Sequence, residues 1–248
     1  MIHRFLPRSP GLVFAALMLV AGLVFSEARA QLRNPTVVEL FTSQGCSSCP
    51  PADVFLGELA QRDDIIALSY HIDYWDYIGW KDTFATPDTT ARQRAYGRTL
   101  SQRYVYTPQM VISGRSHVVG SQRQAVLAAI DGLSVGSASE LRLTATPEGG
   151  LKINIAPGQV SRPAIVWLVE YDRRHKVAIR RGENRGRTLD YHNVVRSLKR
   201  LGHWEGGATE LETDIKASKA NGRDGCVVIV QEAEGGPILG AVKLEFGG

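Results

Sequence analysis

Residues 36–51 read TVVELFTSQGCSSCPP and decide how the first half of the chain is interpreted. The β-branched, apolar run at 36–41 predicts a buried parallel strand. Cys46 and Cys49 follow a short loop and lie where a helix begins, because the two prolines after them are tolerated in a first helical turn. Unsatisfied N–H groups and the helix dipole at that place favour a thiolate on Cys46. The pattern is typical of disulfide exchange, with Cys46 as the nucleophile and Cys49 as the resolving thiol.

The segment around this motif alternates between strand and helix. After the first strand and the helix that begins at the cysteines, hydrophobic patterning predicts a strand over 65–71, a polar helix over 89–102, strands over 109–112 and 117–119, and a helix over 122–133. Thr107 and Pro108 lie immediately before the strand over 109–112. The sequence therefore predicts an α/β domain for residues 31–135.

The remainder of the chain, residues 136–248, has a pattern that predicts a separate β-rich domain. A Gly/Ser-rich stretch at 134–139 predicts a linker. Beyond it, short strands joined by turn-rich segments, with little helix, favour a small β-sandwich. The predicted strands cover residues 141–146, 151–155, 164–171, 176–180, 194–198, 208–215, 226–231 and 239–246.

The first thirty residues have the layout of a secretory signal peptide. Arg4 and Arg8 precede an apolar run over 12–25, and the small residues at 28–30 predict cleavage before Gln31. We therefore expect a secreted, periplasmic protein, in an oxidising compartment where disulfides persist. No later segment is apolar enough to cross a bilayer, so no membrane anchor is expected after cleavage.

The charge balance argues against a general polyanion-binding protein. The chain carries 29 basic and 25 acidic residues, and removal of the predicted signal peptide leaves 26 against 24. Part of the positive charge thus belongs to the signal peptide, and a nucleic acid partner is not expected for an exported chain. The sequence does not indicate an oligomeric state.

Three strings carry a resemblance to a known family: VVELFTSQGCSSCPPAD at 37–53, YHIDYWDYIGWKDTFA at 70–85 and YTPQMVISG at 106–114. They resemble the exported family called domain of unknown function 1223. This resemblance implies a thioredoxin-like domain followed by a β-rich C-terminal portion, and it brings no established reaction. The order of elements over 35–133 is similar to that of the thioredoxin fold.

The resemblance to the thioredoxin fold implies roles for three further residues. Pro108 would be a cis-proline packed against the cysteine pair, and with Thr107 it would shape the substrate groove. Glu39, in the strand before the cysteines, would match a buried acid that relays protons. The alternative for Glu39 is a glutamate near the loop that only takes part in a hydrogen bond.

Three interpretations of Cys46 and Cys49 stay open. Besides exchanging with a partner, the pair could form a static disulfide, or its thiolates could join His71 or His117 to bind copper or zinc. The third cysteine of the mature chain, Cys226, lies in an apolar strand and is predicted to be a buried free thiol.

An aromatic loop follows the second predicted strand. Tyr74, Trp75 and Trp80 are expected near the cysteines, either as an apolar platform for a substrate polypeptide or thiol, or as packing over the edge of the domain.

Together these patterns predict an exported thiol–disulfide oxidoreductase that exchanges disulfides with an envelope protein or a small thiol. Electrons would travel as the dithiol–disulfide couple, so neither an organic cofactor nor a metal is expected. The alternative is a binding or assembly module of thioredoxin fold, whose disulfide is structural and does not turn over.

Overall fold

The structure, a computed structural model, describes residues 1–2, 35–133 and 139–246. The predicted signal peptide from residue 3 onward, with its cleavage site, lies outside the described residues. Most of the predicted linker, at 134–138, lies outside them as well. No helix in the described segments is long and apolar enough to cross a membrane.

Helices are confined mainly to the first half of the described chain, whereas strands occur throughout. The helices are α1 (Pro50–Leu59), α2 (Pro87–Thr99), α3 (Arg123–Asp131) and the short α4 (Lys216–Ala220). The strands of the first half are β1 (Thr36–Thr42), β2 (Ile65–His71), β3 (Gln109–Ile112) and β4 (Ser116–Val119). Those of the second half are β5 (Leu141–Ala145), β6 (Gly150–Ile155), β7 (Ala164–Ala178), β8 (Thr188–Trp204), β9 (Thr209–Asp214), β10 (Gly225–Glu232) and β11 (Ile238–Glu245).

Eight strands of the described chain form one mixed sheet, in the order β11-β10-β7-β8-β2-β1-β3-β4. β1 and β2 run parallel, whereas β3 pairs antiparallel with both β1 and β4. The parallel contact of β2 with β8, at Ser69 and Val194, joins the two halves of the chain. Strands on both sides of the predicted domain boundary therefore share one sheet. The boundary itself, between residues 135 and 136, lies outside the described residues, and the division into domains stays a prediction.

Alternation along β1 sends neighbouring side chains to opposite faces of the sheet. Leu40 packs with Phe55 of α1 on one face. Phe41 contacts Tyr96 of α2 on the other face, with the ring centroids 6.0 Å apart. The face to which a β1 side chain points thus decides whether it meets the helix of the cysteines or α2.

A second, three-stranded sheet in the order β5-β6-β9 packs against the C-terminal part of the large sheet. Ile153 of β6 shares an apolar core with Val166 of β7 and Val228 of β10. The two sheets therefore face each other across a shared apolar core. Here one of the two layers continues into the sheet that carries the helix of the cysteines.

The strands β7 and β8 are longer than the sequence predicts. The segment 164–171 and most of 176–180, predicted as separate strands, belong to β7, and 194–198 is the middle of β8. Beyond residue 171, β7 pairs with β8 alone and forms a two-stranded ribbon. Such a ribbon leaves charged side chains at the surface, which is why Arg173 and Arg174 interrupt the apolar pattern without ending the strand.

The third cysteine is confirmed as a buried free thiol. Cys226 lies on β10 within the core between the two sheets. Burial raises the pKa of the Cys226 thiol to about 12, which keeps it protonated and unreactive.

Candidate functional site

Cys46 and Cys49 form a disulfide, with their Cα atoms 5.4 Å apart. Cys49 immediately precedes α1, and Cys46 lies in the turn before it. Backbone hydrogen bonds fix this turn, since the N–H of Cys46 donates to Ser43 and the N–H of Cys49 donates to Cys46. Both cysteines are fully buried, whereas Ser47 and Ser48 between them are exposed.

The start of α1 offers fewer N–H donors than the sequence motif predicts. Pro50 and Pro51 begin the helix and have no N–H. The hydroxyl oxygen of Ser48 lies 3.3 Å from Sγ of Cys46, within hydrogen-bond distance for sulfur. In the reduced protein this hydroxyl can donate to a Cys46 thiolate, so Ser48 replaces part of the stabilisation that the prolines remove.

A loop from the second half of the chain covers the disulfide. Asn184, between β7 and β8, is fully buried and donates from Nδ2 to the carbonyl oxygens of Gln44 and Cys46, at 3.0 and 2.9 Å. Its Oδ1 accepts a hydrogen bond of 2.9 Å from Arg187. We call residues 182–187 the cover loop. Sequence reasoning missed it, because about 140 residues separate it from the cysteines.

The cover loop also contacts the exposed side of the cysteine turn and the aromatic loop. The carboxylate of Glu183 accepts a hydrogen bond of 3.3 Å from the N–H of Ser47. Gly182, with φ of +75°, approaches Ile78 and Trp80 so closely that an added Cβ would lie 3.4 Å from each side chain. The cover is thus built from two loops that are far apart in sequence.

The three predicted aromatic residues are partly buried: Trp75 and Trp80 lie beside the cysteine turn, and Tyr74 packs on the α2 side. The indole N–H of Trp80 donates to Oε1 of Gln44 at 2.8 Å, and that of Trp75 donates to Oγ1 of Thr107 at 2.8 Å. Tyr74 is partly buried against the core on the α2 side, and burial raises the pKa of Tyr74 to about 12.

Trp75 lies between the cysteine turn and the predicted groove residues. A Cβ added to Gly45 would lie 3.2 Å from Cβ of Trp75, while the indole of Trp75 is bonded to Thr107. The bond between Thr107 and Pro108 is cis, as the resemblance implies. Pro108 is buried, and its carbonyl accepts from the N–H of Gly120 at 2.9 Å. One side chain therefore links Thr107 to the turn that carries the cysteines.

Glu39 lies on the face of β1 opposite α1. It is fully buried, and its Oε1 accepts from Nε of Arg92 at 2.6 Å while its Oε2 accepts from the hydroxyl of Tyr96. Arg92 and Tyr96 both belong to α2, and the Tyr96 hydroxyl also accepts from Gln231 at 2.9 Å. The structure thus does not bring Glu39 to the cysteines. Its position favours the alternative, a hydrogen-bonded glutamate, here within a buried ion pair.

A different acid lies next to the cysteines. Asp53 is one helical turn after Cys49 on α1 and is buried, and no described residue makes a hydrogen bond of normal geometry to its carboxylate. Burial raises the pKa of Asp53 to about 7; the charge of His71 and the hydroxyl of Thr42 lower it, and the charge of Asp82 raises it further. Sequence reasoning missed Asp53, although an acid four residues after Cys49 on an apolar helix face was a usable signal.

His71, at the end of β2, pairs with Asp82 in the interior. Nδ1 of His71 lies 2.7 Å from Oδ2 of Asp82, and both side chains are fully buried. Oδ2 also accepts from the N–H of Gln44 at 2.7 Å, and Oδ1 accepts from the N–H of Phe84 at 2.9 Å. Burial opposes ionisation of Asp82, yet the charge and hydrogen bond of His71 and these two N–H groups hold the pKa of Asp82 below its usual range. Asp82 therefore ties the cysteine turn to His71.

The metal-site interpretation has no matching ligand set in the described part of the chain. No three His, Cys, Asp or Glu side chains are arranged there to hold a metal ion. Nδ1 of His117 lies 2.9 Å from the hydroxyl of Tyr106, and burial lowers the pKa of His117. Neither His71 nor His117 is thus grouped with the two cysteines.

Comparison with known proteins identifies the family. The family described as Protein of unknown function (DUF1223) matches residues 37–231. The chain belongs to this family. The match confirms the resemblance of the three sequence strings, and in this DUF1223 member it covers the cysteine turn, the aromatic loop and the cover loop. No curated protein matches the chain at a significant level.

Two solved structures resemble this DUF1223 member. A crystal structure of a protein from Agrobacterium tumefaciens is 33% identical, with a TM-score of 0.74, over 85% of this chain and 93% of that chain. HBP35 of Porphyromonas gingivalis is 14% identical, with a TM-score of 0.55, over 86% of this chain and 76% of that chain. The second similarity is one of fold alone.

Proposed function

We propose that this DUF1223 member is an exported, periplasmic thiol–disulfide oxidoreductase with a thioredoxin-like domain. Its partners would be cysteines of an envelope protein, or a small thiol. The strand order β2-β1-β3-β4, with α1 between β1 and β2 in the chain, supports the thioredoxin-like part of the proposal. The predicted signal peptide supports an oxidising compartment, where such a couple can be maintained.

The observation that carries the proposal is that the disulfide closes a turn which hydrogen bonds already hold. The N–H of Cys46 donates to Ser43, that of Cys49 donates to Cys46, and those of Ala52 and Asp53 donate to Cys49. A cross-link across so short a loop restricts the unfolded chain by only about 2 kcal/mol. A pair that adds this little to stability, at the start of a helix, is better suited to chemistry than to stapling.

The exchange would follow two displacements. The Cys46 thiolate, beside the hydroxyl of Ser48, attacks a disulfide of the partner and releases one partner thiolate. The sulfur of Cys49 then bonds to Cys46 and displaces the second partner thiolate. The partner disulfide is thereby reduced by two electrons, and the dithiol of this protein is oxidised. The same steps in reverse oxidise a partner dithiol.

The cover loop has to move before either displacement, because both sulfurs are buried. The two hydrogen bonds from Asn184 to the cysteine turn are each worth about 1 kcal/mol. Local opening that costs a free energy of this size occurs frequently in native proteins. The exposed hydroxyl-bearing residues Ser47 and Ser48 mark the side from which a partner would approach.

A second candidate function rests on the same burial. Complete exclusion of Cys46 and Cys49 from solvent, under a loop that bonds directly to Cys46, favours a binding or assembly module with a structural disulfide. In that case the disulfide would be inert, and the surface of the protein rather than its sulfur would contact the partner.

Two measurements separate these functions. A Cys49→Ala variant should accumulate a mixed disulfide through Cys46 in envelope extracts, whereas the matched Cys46→Ala variant should not. The reduction potential of the pair should lie above about −300 mV, in the range of exchangeable disulfides. A potential below about −300 mV, together with no trapped partner, would instead support the binding or assembly module.

A further inference from the structure

We propose that the outer edge of β4 binds an acidic, extended segment of a partner polypeptide as an additional strand. Docking of this kind goes beyond the proposed function, because it does not depend on whether the disulfide turns over. Three features of the molecule meet at this edge: outward-facing backbone groups, a groove along the strand, and a basic stretch of chain without acidic residues.

β4 is the last strand of the large sheet, and no strand of the described chain lies beyond it. The N–H of Gly120 donates to the carbonyl oxygen of Pro108, next to β3, at 2.9 Å. Backbone bonds alternate along an antiparallel pair, so Val118 bonds to β3, while the N–H groups of His117 and Val119 point away from it. The carbonyl group of His117 points outward as well. The edge of β4 thus offers two donors and an acceptor to an added strand.

A groove of about 580 Å³ lies along the same strand. Residues 101–104 and Tyr106 line it, together with His117 and Val119 of β4. The rings of Tyr106 and His117 meet edge to face, with their centroids 5.9 Å apart, and Tyr104 is 75% exposed. Because alternate side chains of a strand share one face, every second side chain of an added strand would meet these rings.

Buried glutamines fix the loop that lines the groove. Gln93 of α2 donates from Nε2 to the carbonyl oxygen of Tyr106 and to Oε1 of Gln109, both at 2.8 Å. Gln109 in turn donates from its Nε2 to Oε1 of Gln102 at 3.0 Å. Both Gln93 and Gln109 are fully buried. The loop is therefore held in place before a partner arrives, which lowers the entropy cost of binding.

The chain around β4 is basic. Residues 89–130 include six arginines and neither Asp nor Glu. Arg92 and Arg123 form ion pairs with acids from elsewhere in the chain. The other four are exposed and form no ion pair with a carboxylate of the described residues: Arg94, Arg98, Arg103 and Arg115. Positive charge on this part of the surface is thus left without a counter-charge within the described chain.

This charge selects among the possible occupants of the edge. Arg103 lines the groove, and Arg115 lies in the turn that leads into β4. A second copy of the chain, pairing through its own β4, would bring arginine toward arginine, which is unfavourable. An anionic membrane would neutralise the arginines and leave the outward N–H groups of the strand without backbone partners. A polypeptide segment that carries Asp or Glu satisfies both the charges and the backbone.

The test titrates the isotope-labelled, oxidised full chain with a short peptide in which glutamate alternates with valine around a central tyrosine. The matched control peptide has lysine in place of each glutamate. The acidic peptide should shift the backbone amide resonances of His117 and Val119 until they saturate, and added salt should weaken its binding. The lysine peptide should leave these resonances unchanged.

Two variants separate the charge from the backbone. Arg103→Glu should weaken binding of the acidic peptide at least about tenfold, because it places a like charge in the groove. Arg162→Glu, at an exposed position in the second half of the chain, should keep the wild-type affinity. Val119→Pro removes one outward N–H without removing a bond between β3 and β4, and should weaken binding about fivefold.

Equal binding of the two peptides, or binding that Arg103→Glu leaves unchanged, overturns the acidic partner. Binding that Val119→Pro leaves unchanged overturns the addition of a strand. Failure of the acidic peptide to bind overturns the proposal as a whole, and sedimentation of the chain with phosphatidylglycerol vesicles would then indicate a membrane-binding surface. Because the two peptides already differ on the wild-type chain, a variant that fails to fold does not remove the test.

Discussion

Asn184 and Cys46, 138 residues apart in the chain, are joined by a hydrogen bond of 2.9 Å from the side-chain Nδ2 to the backbone carbonyl oxygen. The same nitrogen donates to Gln44 at 3.0 Å. Asn184 is itself fully buried, and these bonds hold the cover loop against the backbone of the cysteine turn. One side chain from the second half of the chain therefore fastens the cover loop to the cysteine turn.

Replacement of Asn184 by Asp should open the cover. An aspartate is similar in size, but it offers carboxylate oxygens to two carbonyl oxygens and has no N–H to donate. Loss of two hydrogen bonds of about 1 kcal/mol each predicts that dithiothreitol reduces the disulfide at least about tenfold faster. Asn221→Asp, at an exposed position, is the control. An unchanged reduction rate in Asn184→Asp would show that the loop does not limit access.

Replacement of Ser48 by Ala should slow the reaction of the reduced Cys46 thiol. The hydroxyl that lies 3.3 Å from its sulfur would no longer donate to the thiolate. A hydrogen bond to a charged group contributes about 1.5 kcal/mol or more, which predicts roughly tenfold slower alkylation by iodoacetamide at neutral pH. Ser47→Ala removes the neighbouring exposed hydroxyl and should keep the wild-type rate. Equal slowing in both variants would contradict a specific role for Ser48.

Replacement of Asp53 by Asn should change how stability depends on pH. Because folding raises the pKa of Asp53 from 3.8 to about 7, its contribution to stability is fully present below the lower value and is lost as pH rises through the upper one. Between about pH 5 and pH 8 the wild type should therefore lose roughly 2 to 3 kcal/mol relative to Asp53→Asn. Guanidinium unfolding at both pH values measures this. Asp63→Asn, on the surface, should follow the wild type. A stability profile of Asp53→Asn that runs parallel to that of the wild type would contradict the raised pKa of Asp53.

Replacement of Glu39 by Gln should affect stability and leave the sulfur chemistry intact. The change leaves the charge of buried Arg92 uncompensated, which predicts a loss of about 3 to 5 kcal/mol in the free energy of unfolding. Glu58→Gln, which breaks an exposed pair with Arg123, should cost far less. The alkylation rate of reduced Cys46 should stay at the wild-type value in both. A slower rate in Glu39→Gln alone would restore the proton-relay role to Glu39.

Local sequence patterns predict most of the individual elements. The bounds of β2 and β3 agree with the sequence prediction to the residue, because buried apolar runs between turn residues leave little ambiguity. The joining of β2 to β8 was beyond prediction, since it depends on a single register pair between Ser69 and Val194, far apart in the chain. Periodicity specifies which face of a strand is buried, and it does not specify which strand lies alongside.

The candidate site shows the same division. Cys46, Cys49 and Pro108 follow from motif and order. Glu39 is a buried acid, but it lies on the face of β1 that packs against α2, where its carboxylate pairs with Arg92. Side-chain direction alternates at every residue of a strand, so the face to which Glu39 points depends on the register of β1, which the motif does not specify. Asn184 has no local signal at all, because an asparagine in a turn between strands is ordinary in sequence.

The cover loop has a consequence for the order of events during synthesis. The ribosome adds Cys46 and Cys49 long before it reaches Asn184, and the N-terminal part of a chain generally folds first. Until Asn184 is added, its hydrogen bonds to the cysteine turn cannot form. Completion of the hairpin of β7 and β8 then encloses whatever sulfur state was reached. The folded chain thus buries two cysteines that the growing chain leaves uncovered.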